Sequence, residues 1–251
     1  MALAIPFVAG GCQLPNFLAY KGATTQAQDS FKLWQGFFIT GLVVVGVVFL
    51  LILWAVLRYR RRSDEMPRQT QYHTVVEIVY TVVPILIVAV LFVFTFITEN
   101  NVDSVSASPA VVVNVTAFQW GWKFQYPHDG GIVVQGIETQ TPQMVVPTGE
   151  TVRIYLRSAD VVHGWYVPEF NFSRYALPGV TNQFDINVTH PGVFRGQCTQ
   201  FCGLYHSLML FSVRAVPSAQ FASWVHQQEQ TSQSGNSIAT LKQKAAQGGY
   251  G

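Results

Sequence analysis

Residues 196–209, GQCTQFCGLYHSLM, place two cysteines, a histidine and a methionine within one short stretch. The 251-residue chain has only one other cysteine, Cys12. So few cysteines exclude a fold built on a framework of disulfides. Whatever fold the chain adopts must present these thiol, imidazole and thioether groups together, and their chemistry is the first clue to its function.

Three interpretations of Cys198 and Cys202 are open from the residues alone. A disulfide would leave His206 and Met209 without a role. A structural zinc site would require further cysteines or histidines at regular spacing and would not use methionine. Copper accounts for all four groups, because thiolate, imidazole and a weak axial thioether are the ligands of cupredoxin electron-transfer sites. Such a site with a single copper ion needs only one cysteine, whereas two cysteines spaced C-x-x-x-C can bridge two copper ions.

Two bridged copper ions would need a second imidazole. The stretch 158–170, SADVVHGWYVPEF, supplies His163 between apolar residues. A histidine in such a position is either a core residue with satisfied hydrogen bonds or a ligand. On its own, His163 favours the core interpretation.

The composition predicts a membrane protein with an outer domain. Hydrophobic residues make up 49% of the chain and charged residues 11%, and its mean hydropathy is +0.26. Two apolar runs, 34–57 and 75–97, are each long enough to cross a bilayer. The short loop between them carries five arginines: Arg58, Arg60, Arg61, Arg62 and Arg68. By the positive-inside rule this loop is cytoplasmic, and both termini face outward.

The sequence divides into four segments. Residues 1–32 form an N-terminal segment, in which small residues before Cys12 resemble a lipoprotein signal but lack its basic region, so a misassigned start codon or an unprocessed tail are the alternatives. Residues 33–98 are predicted to form a transmembrane helical hairpin. Residues 99–226 are predicted to form an outer domain with a C-terminal helix, and 227–251 a polar, mobile tail.

Short alternating apolar runs separated by turn residues predict an all-β sandwich or barrel for the outer domain. Seven strands are predicted, over 110–120, 122–127, 131–136, 151–158, 182–188, 192–198 and 206–216. After Pro217, the spacing of Phe221, Trp224 and Val225 predicts a short helix that packs on the sheet.

Several of these stretches resemble one family. CTQFCGLYHSLM (198–209), DVVHGWYVP (160–168), FQWGWKFQY (118–126), LPGVTNQF (177–184) and EIVYTVVPILIV (77–88) are similar to subunit II of the haem–copper cytochrome c oxidases. The likeness runs from the first span to about Trp224 and keeps the family order. It implies a cupredoxin-like Greek-key outer domain with the binuclear copper centre called CuA. It also implies electron transfer from a c-type cytochrome to the haems of subunit I, where oxygen is reduced to water and protons are pumped.

The resemblance carries the family's roles onto particular residues. It implies six ligands to two copper ions: His163, Cys198, Gln200 through its backbone carbonyl, Cys202, His206 and Met209. The two cysteine sulfurs would bridge the ions, with His163 and Met209 completing one and His206 and the Gln200 carbonyl the other.

Two further residues receive roles from the same resemblance. Trp120 matches the aromatic residue through which electrons enter, with a core tryptophan as the alternative. Glu77 matches the acid at the entrance of a proton path into subunit I. Because an acid within a membrane span is costly, its position alone already indicates such a path, unless the side chain reaches back to the interface. Trp122 is expected in the core, since alternate residues of a strand face opposite sides.

One departure from the family affects a second metal. The glutamate that usually stands between the cysteines, and that reaches a magnesium ion at the interface with subunit I, is Gln200 here. An amide is a weaker ligand than a carboxylate for this hard cation. The predicted magnesium site therefore lacks its usual ligand, whereas the copper site uses only the carbonyl.

The charges of the outer part bear on its partners. From residue 101 onward the chain carries eight acidic and eight basic residues. An acidic field usually steers a diffusing basic cytochrome, so this balance favours a donor that is tethered or held in a supercomplex. The expected partners are therefore subunit I with the other oxidase subunits, this cytochrome and membrane lipid, with no nucleic acid, in a bacterial cell membrane.

Two alternative functions remain at this point. A CuA-containing nitric oxide reductase subunit could have much the same sequence. A membrane-anchored copper-binding or assembly module would bind copper reversibly and would need neither Trp120 nor Glu77. A quinol oxidase is disfavoured, because its corresponding subunit lacks the copper ligands.

Overall fold

The computed structural model describes residues 16–61, 64–66 and 69–231. The predictions for Cys12, Arg62, Arg68 and most of the polar tail lie outside these residues. The described chain consists of two long helices followed by a domain of β-strands and one further helix.

Helices α1 (Thr25–Arg58) and α2 (Thr74–Asp103) form an antiparallel hairpin and are each long and apolar enough to cross a membrane. Both extend further at the outer end than the predicted bounds of 33 and 98. The reason is local: the Thr24 hydroxyl accepts a hydrogen bond from the Ala27 N–H and caps α1, and the polar turns at this end contact the outer domain. A sequence prediction based on hydropathy omits such turns.

The outer domain contains two five-stranded sheets. Sheet one has the order β3-β2-β1-β5-β8, and sheet two has the order β4-β10-β9-β6-β7. The strands are β1 Val111–Phe118, β2 Gly121–Tyr126, β3 Ile132–Ile137, β4 Gln143–Pro147, β5 Val152–Ser158, β6 His163–Val167, β7 Phe172–Ala176, β8 Asn182–Ile186, β9 Gly192–Cys198 and β10 Leu210–Val216.

The connections between the sheets confirm the predicted fold class. Strand β1 pairs in parallel with β5, and β10 pairs in parallel with β4, while the remaining pairs are antiparallel. Strands distant in sequence are thus neighbours, as in a Greek-key sandwich. The chain therefore consists of a two-helix hairpin and an all-β, cupredoxin-like domain.

Three strands are absent from the sequence prediction. Strands β4 and β6 are buried along nearly their whole length, so they lack the polar-apolar alternation on which the prediction depends. Strand β7 has only five residues. The last strand begins at Leu210 rather than at 206, because residues 206–208 form a short 3-10 turn.

Aromatic rings fill the space between the sheets. Trp122 is fully buried, as predicted, and its ring centroid lies 5.0 Å from that of Phe211. Trp165 stacks on Phe211 at 5.6 Å and contacts Phe184 at 5.3 Å. Since large buried rings leave little room to move, the loops above them rest on a rigid base.

The start of α1 and the segment after α2 are attached to the outer domain by different contacts. At the start of α1, the N–H of Thr25 donates to the carbonyl of Asn187 at 3.0 Å. After α2, the Ser106 N–H donates to the Asp185 carboxylate at 2.7 Å, and the Arg153 guanidinium donates to the Ser106 carbonyl at 2.6 Å. Arg153 and Asp185 form a buried ion pair. Both attachments lie at the end of the hairpin opposite the loop between the helices.

A third helix, over 218–231, packs on the sandwich as predicted. The Tyr126 ring lies 6.5 Å from that of Phe221 and 5.2 Å from that of Trp224. Residues 227–231, predicted as the start of the tail, are helical. The helix continues because Glu229, outside the apolar face, packs against Gly130. A Cβ atom at Gly130 would lie 2.5 Å from the Oε1 atom of Glu229.

Candidate metal centre

Neighbouring strands of sheet two bring two of the predicted ligands together. Cys198 ends β9, and His163 begins β6, which pairs with β9. Both side chains are buried. The chain after Cys198 forms a loop and a short turn that return to β10, and this loop carries Cys202 and His206.

Five of the six predicted ligands would bind through a side-chain atom, and these five side chains form one cluster. The Sγ atoms of Cys198 and Cys202 are 3.8 Å apart. The Nδ1 atom of His163 lies 3.9 Å from the sulfur of Cys198. The Nδ1 atom of His206 lies 3.5 Å, and the Sδ atom of Met209 3.8 Å, from the sulfur of Cys202.

These distances bear on the three interpretations of the cysteines. A disulfide requires sulfurs about 2.05 Å apart, and both thiols are free. The ligand atoms of His163, Cys198 and Cys202 all lie within 4.8 Å of one another, which is a spacing that could hold a metal ion. Adding the thioether of Met209 favours copper over zinc, because thiolate, imidazole and a weak thioether are the ligands of copper electron-transfer sites, whereas zinc sites use no methionine.

The backbone carbonyl of Gln200 also faces this cluster, 3.3 Å from the sulfur of Cys198. Its approach depends on Gly164, which follows His163. A Cβ atom at Gly164 would lie 2.3 Å from the Thr199 hydroxyl and 3.0 Å from the Gln200 nitrogen. Gly164 has no role predicted from the sequence, although a glycine directly after a candidate ligand is a signal for close backbone approach.

Asp160 holds His163 from the side away from the sulfurs. One of its carboxylate oxygens lies 2.8 Å from the His163 Nε2 atom. Burial disfavours the charged carboxylate, but hydrogen bonds from His163 and from two backbone N–H groups outweigh it and lower the pKa of Asp160. A carboxylate in this position fixes the ring of a ligand histidine. Asp160 has no role predicted from the sequence, although an acid three residues before a candidate ligand histidine is a signal for such a contact.

The two cysteines differ electrostatically. Burial opposes a thiolate at Cys198, yet hydrogen bonds involving His163 and backbone groups outweigh burial and lower the pKa of this thiol. Burial and the negative charge of Cys198 raise the pKa of Cys202. The polypeptide alone therefore favours one thiolate, and the second thiol would ionise as metal binds, because metal ligands must be deprotonated.

Trp120 lies directly beside the cluster, in the turn between β1 and β2. Its indole N–H donates to the carbonyl of Cys202 at 3.1 Å, and its ring meets that of Tyr205 edge-on with centroids 5.1 Å apart. The side chain is half-buried and touches the core from its rim. Trp122 instead points inward, where its indole N–H lies 3.5 Å from the Met209 carbonyl.

Glu77 lies far from this cluster, in the first turn of α2. Its carboxylate accepts a hydrogen bond from the backbone N–H of His73 at 3.0 Å. Such a contact satisfies one of the free N–H groups at a helix start. Glu77 therefore has a helix-capping contact, and its role in a proton path stays a prediction.

Comparison with known proteins identifies both halves of the chain. Residues 132–216 match the family "Cytochrome C oxidase subunit II, periplasmic domain", and residues 16–97 match its transmembrane domain. A probable cytochrome c oxidase subunit 2 of Nocardia farcinica is 31% identical over 93% of this chain and 81% of its own. One of Streptomyces avermitilis is 34% identical over 85% of this chain and 80% of its own.

Among solved structures, the periplasmic domain of subunit II of cytochrome oxidase from Bradyrhizobium japonicum is similar. It is 29% identical, with a TM-score of 0.46, and the match covers 51% of this chain and 99% of that one. The family matches, with the two apolar helices, describe a membrane-anchored protein with an outer domain. The chain belongs to the cytochrome c oxidase subunit II family.

Proposed function

We propose that this chain is the electron-accepting subunit of a haem–copper oxidase in a bacterial cell membrane. It takes electrons one at a time from a c-type cytochrome outside the membrane and passes them to the haems of subunit I, which reduces oxygen to water. The observation that carries the proposal is the cluster of two thiols, two imidazoles and one thioether in a single site, of which only His206 is half-buried and the rest are buried.

The cluster fits a binuclear copper centre. Cys198 and Cys202, whose sulfurs lie 3.8 Å apart, would hold both copper ions. His163 and Met209 would be further ligands of one ion, and His206 and the Gln200 carbonyl further ligands of the other. Bound copper would supply the one-electron chemistry. Each of the other donor atoms lies within 3.9 Å of one of the two sulfurs, so the site would need little rearrangement to bind the metal.

The protein prepares His163 for this role. Its Nε2 atom lies against the Asp160 carboxylate at 2.8 Å, so Nε2 donates its proton there, and Nδ1, 3.9 Å from the sulfur of Cys198, would offer its lone pair to a bound metal ion. Asp160 thereby selects the tautomer and the ring orientation of a ligand. The buried aromatic rings below the site exclude water and keep the ligand strands in place.

Electrons enter through Trp120, and protons destined for subunit I pass Glu77. The Trp120 ring is partly exposed, and its indole N–H contacts the Cys202 carbonyl. A single hydrogen bond thus connects the partly exposed Trp120 ring to the backbone of the proposed ligand Cys202.

Glu77 lies near the loop that carries the arginines, at the opposite end of the hairpin from the outer domain. This polarity supports an outer domain on the outside of the membrane, with the loop inside.

The magnesium ion of the family is not part of the proposal. The Gln200 carbonyl is directed at the cysteine cluster, and its side chain is an amide rather than a carboxylate.

The donor cytochrome is proposed to be tethered or held in a supercomplex, because the outer part of the chain has balanced charge.

The test is pre-steady-state reduction of the assembled oxidase by its reduced cytochrome. The copper centre should be reduced before the haems, and Cys198→Ser should stop haem reduction by the cytochrome. Glu77→Gln is the control, because it should slow steady-state turnover while leaving the first reduction of copper unchanged. Haem reduction at the normal rate in the Cys198→Ser oxidase would overturn the proposal.

A further inference from the structure

Gln119, the residue before Trp120, makes contacts that no role assigned so far requires. Its side-chain amide donates to the carbonyl of Cys202 at 2.8 Å, the same oxygen that accepts the indole N–H of Trp120 at 3.1 Å. Its backbone N–H donates to the Asp160 carboxylate at 2.6 Å. One exposed residue is therefore linked both to Cys202 and to the carboxylate that holds His163.

We infer that Gln119 is a positioning residue for electron entry: it fixes the turn that carries Trp120 so that the indole stays in contact with Cys202. The inference rests on the proposed function. In the electron transfer concerned, the ferrous haem of the donor loses one electron and becomes ferric, the copper centre gains that electron, and no atom or proton is transferred.

The need for such a fixing contact follows from the surroundings of Trp120. The ring is at the rim of the domain and has the Tyr205 ring as its aromatic neighbour, at 5.1 Å. Tyr205 is itself 39% exposed. The Gln119 amide and the Trp120 indole donate to the same Cys202 oxygen from adjacent residues, so two residues of the turn are held, whereas the indole bond alone would let the turn pivot.

Gly203 provides the space for this arrangement. A Cβ atom at Gly203 would lie 3.0 Å from the Trp120 ring and 3.3 Å from the Gln119 amide nitrogen. Its φ of +115° is also one that a residue with a side chain rarely adopts. The loop that carries Cys202 and Gly203 therefore packs closely against the Gln119–Trp120 turn.

The experiment uses the assembled oxidase with Gln119→Met, which keeps the length of the side chain but removes its donor, and Gln119→Ala as a second variant. Both should slow copper reduction by the cytochrome about fivefold, since loss of one hydrogen bond shifts an orientational equilibrium by roughly that factor. The copper EPR spectrum and the rate with a small artificial reductant should not change. Gln125→Ala, a glutamine on β2, is the matched control and should behave as wild type.

A double-mutant cycle separates positioning from other roles. If Gln119 acts through Trp120, Gln119→Met should have no further effect in a Trp120→Ala oxidase. An additive effect in that background, a changed EPR spectrum, or an unchanged rate in both Gln119 variants would overturn the inference. Absence of any copper signal in the wild-type oxidase would instead overturn the proposed function.

Discussion

The hairpin and the outer domain place similar apolar side chains in opposite surroundings. Val45 and Leu50 of α1 are 65% and 63% exposed, whereas Trp122 and Trp165 of the sandwich are fully buried. The outer domain buries its large side chains against one another and so carries its own stability. The helices expose theirs and depend on lipid and neighbouring subunits. The outer domain therefore positions the candidate metal site, and the hairpin anchors that domain at the membrane.

Matched phenylalanines give the largest expected contrast between these halves. Phe184 of β8 is 2% exposed and contacts Trp165, while Phe92 of α2 is 68% exposed. Phe184→Ala should lower the free energy of unfolding by about 3–5 kcal/mol, because it leaves a cavity in the core. Phe92→Ala should change it by less than about 0.5 kcal/mol. Denaturant unfolding of the purified chain in detergent measures both, and equal losses would contradict the contrast.

The boundary between the halves tests how firmly they are joined. Arg153→Met removes one partner of the buried pair with Asp185 and the hydrogen bond from Arg153 to the Ser106 carbonyl after α2. We expect a loss of roughly 3 kcal/mol, because the Asp185 charge stays buried without its partner. The double variant Arg153→Met with Asp185→Leu should regain most of that loss. If the single and double variants are equally unstable, packing rather than the charge pair holds the junction.

A smaller effect is expected at the support of the metal site. Asp160→Asn should weaken copper binding by about 10–100-fold, because the amide is a poorer acceptor for the His163 ring and no longer selects its tautomer. Competition with a copper chelator gives the affinity. The matched control is Asp129→Asn, an acid in the turn after β2, which should bind copper as wild type does. Equal affinities for wild type and Asp160→Asn would show that the ring is held by packing alone.

What the sequence predicts depends on how local the signal is. Cys198, Cys202, His206 and Met209 lie on one short loop, so their types and spacing indicate copper without knowledge of the fold. The hairpin is equally local, because hydropathy accumulates along a continuous run. His163 is distant in sequence, and only the family resemblance joined it to the loop.

Most of the features that sequence reasoning missed arise between distant segments. Gln119 gains its role through contacts to Asp160 and Cys202, which only the folded sheets bring close. Asp160 is the exception, because it contacts His163 only three residues along the chain. Strand β6 is buried on both faces and shows no alternation. Tertiary contacts fix these features, and a single sequence contains no periodic signal for them.

The EPR spectrum of the copper-loaded full chain, with the copper content per chain, distinguishes a binuclear from a mononuclear copper site. We expect two copper ions per chain and a hyperfine pattern from one unpaired electron shared equally by both nuclei, and Cys198→Ser should abolish this pattern. One copper ion per chain with the spectrum of an isolated copper site would contradict the binuclear centre and, with it, the proposed roles of both cysteines.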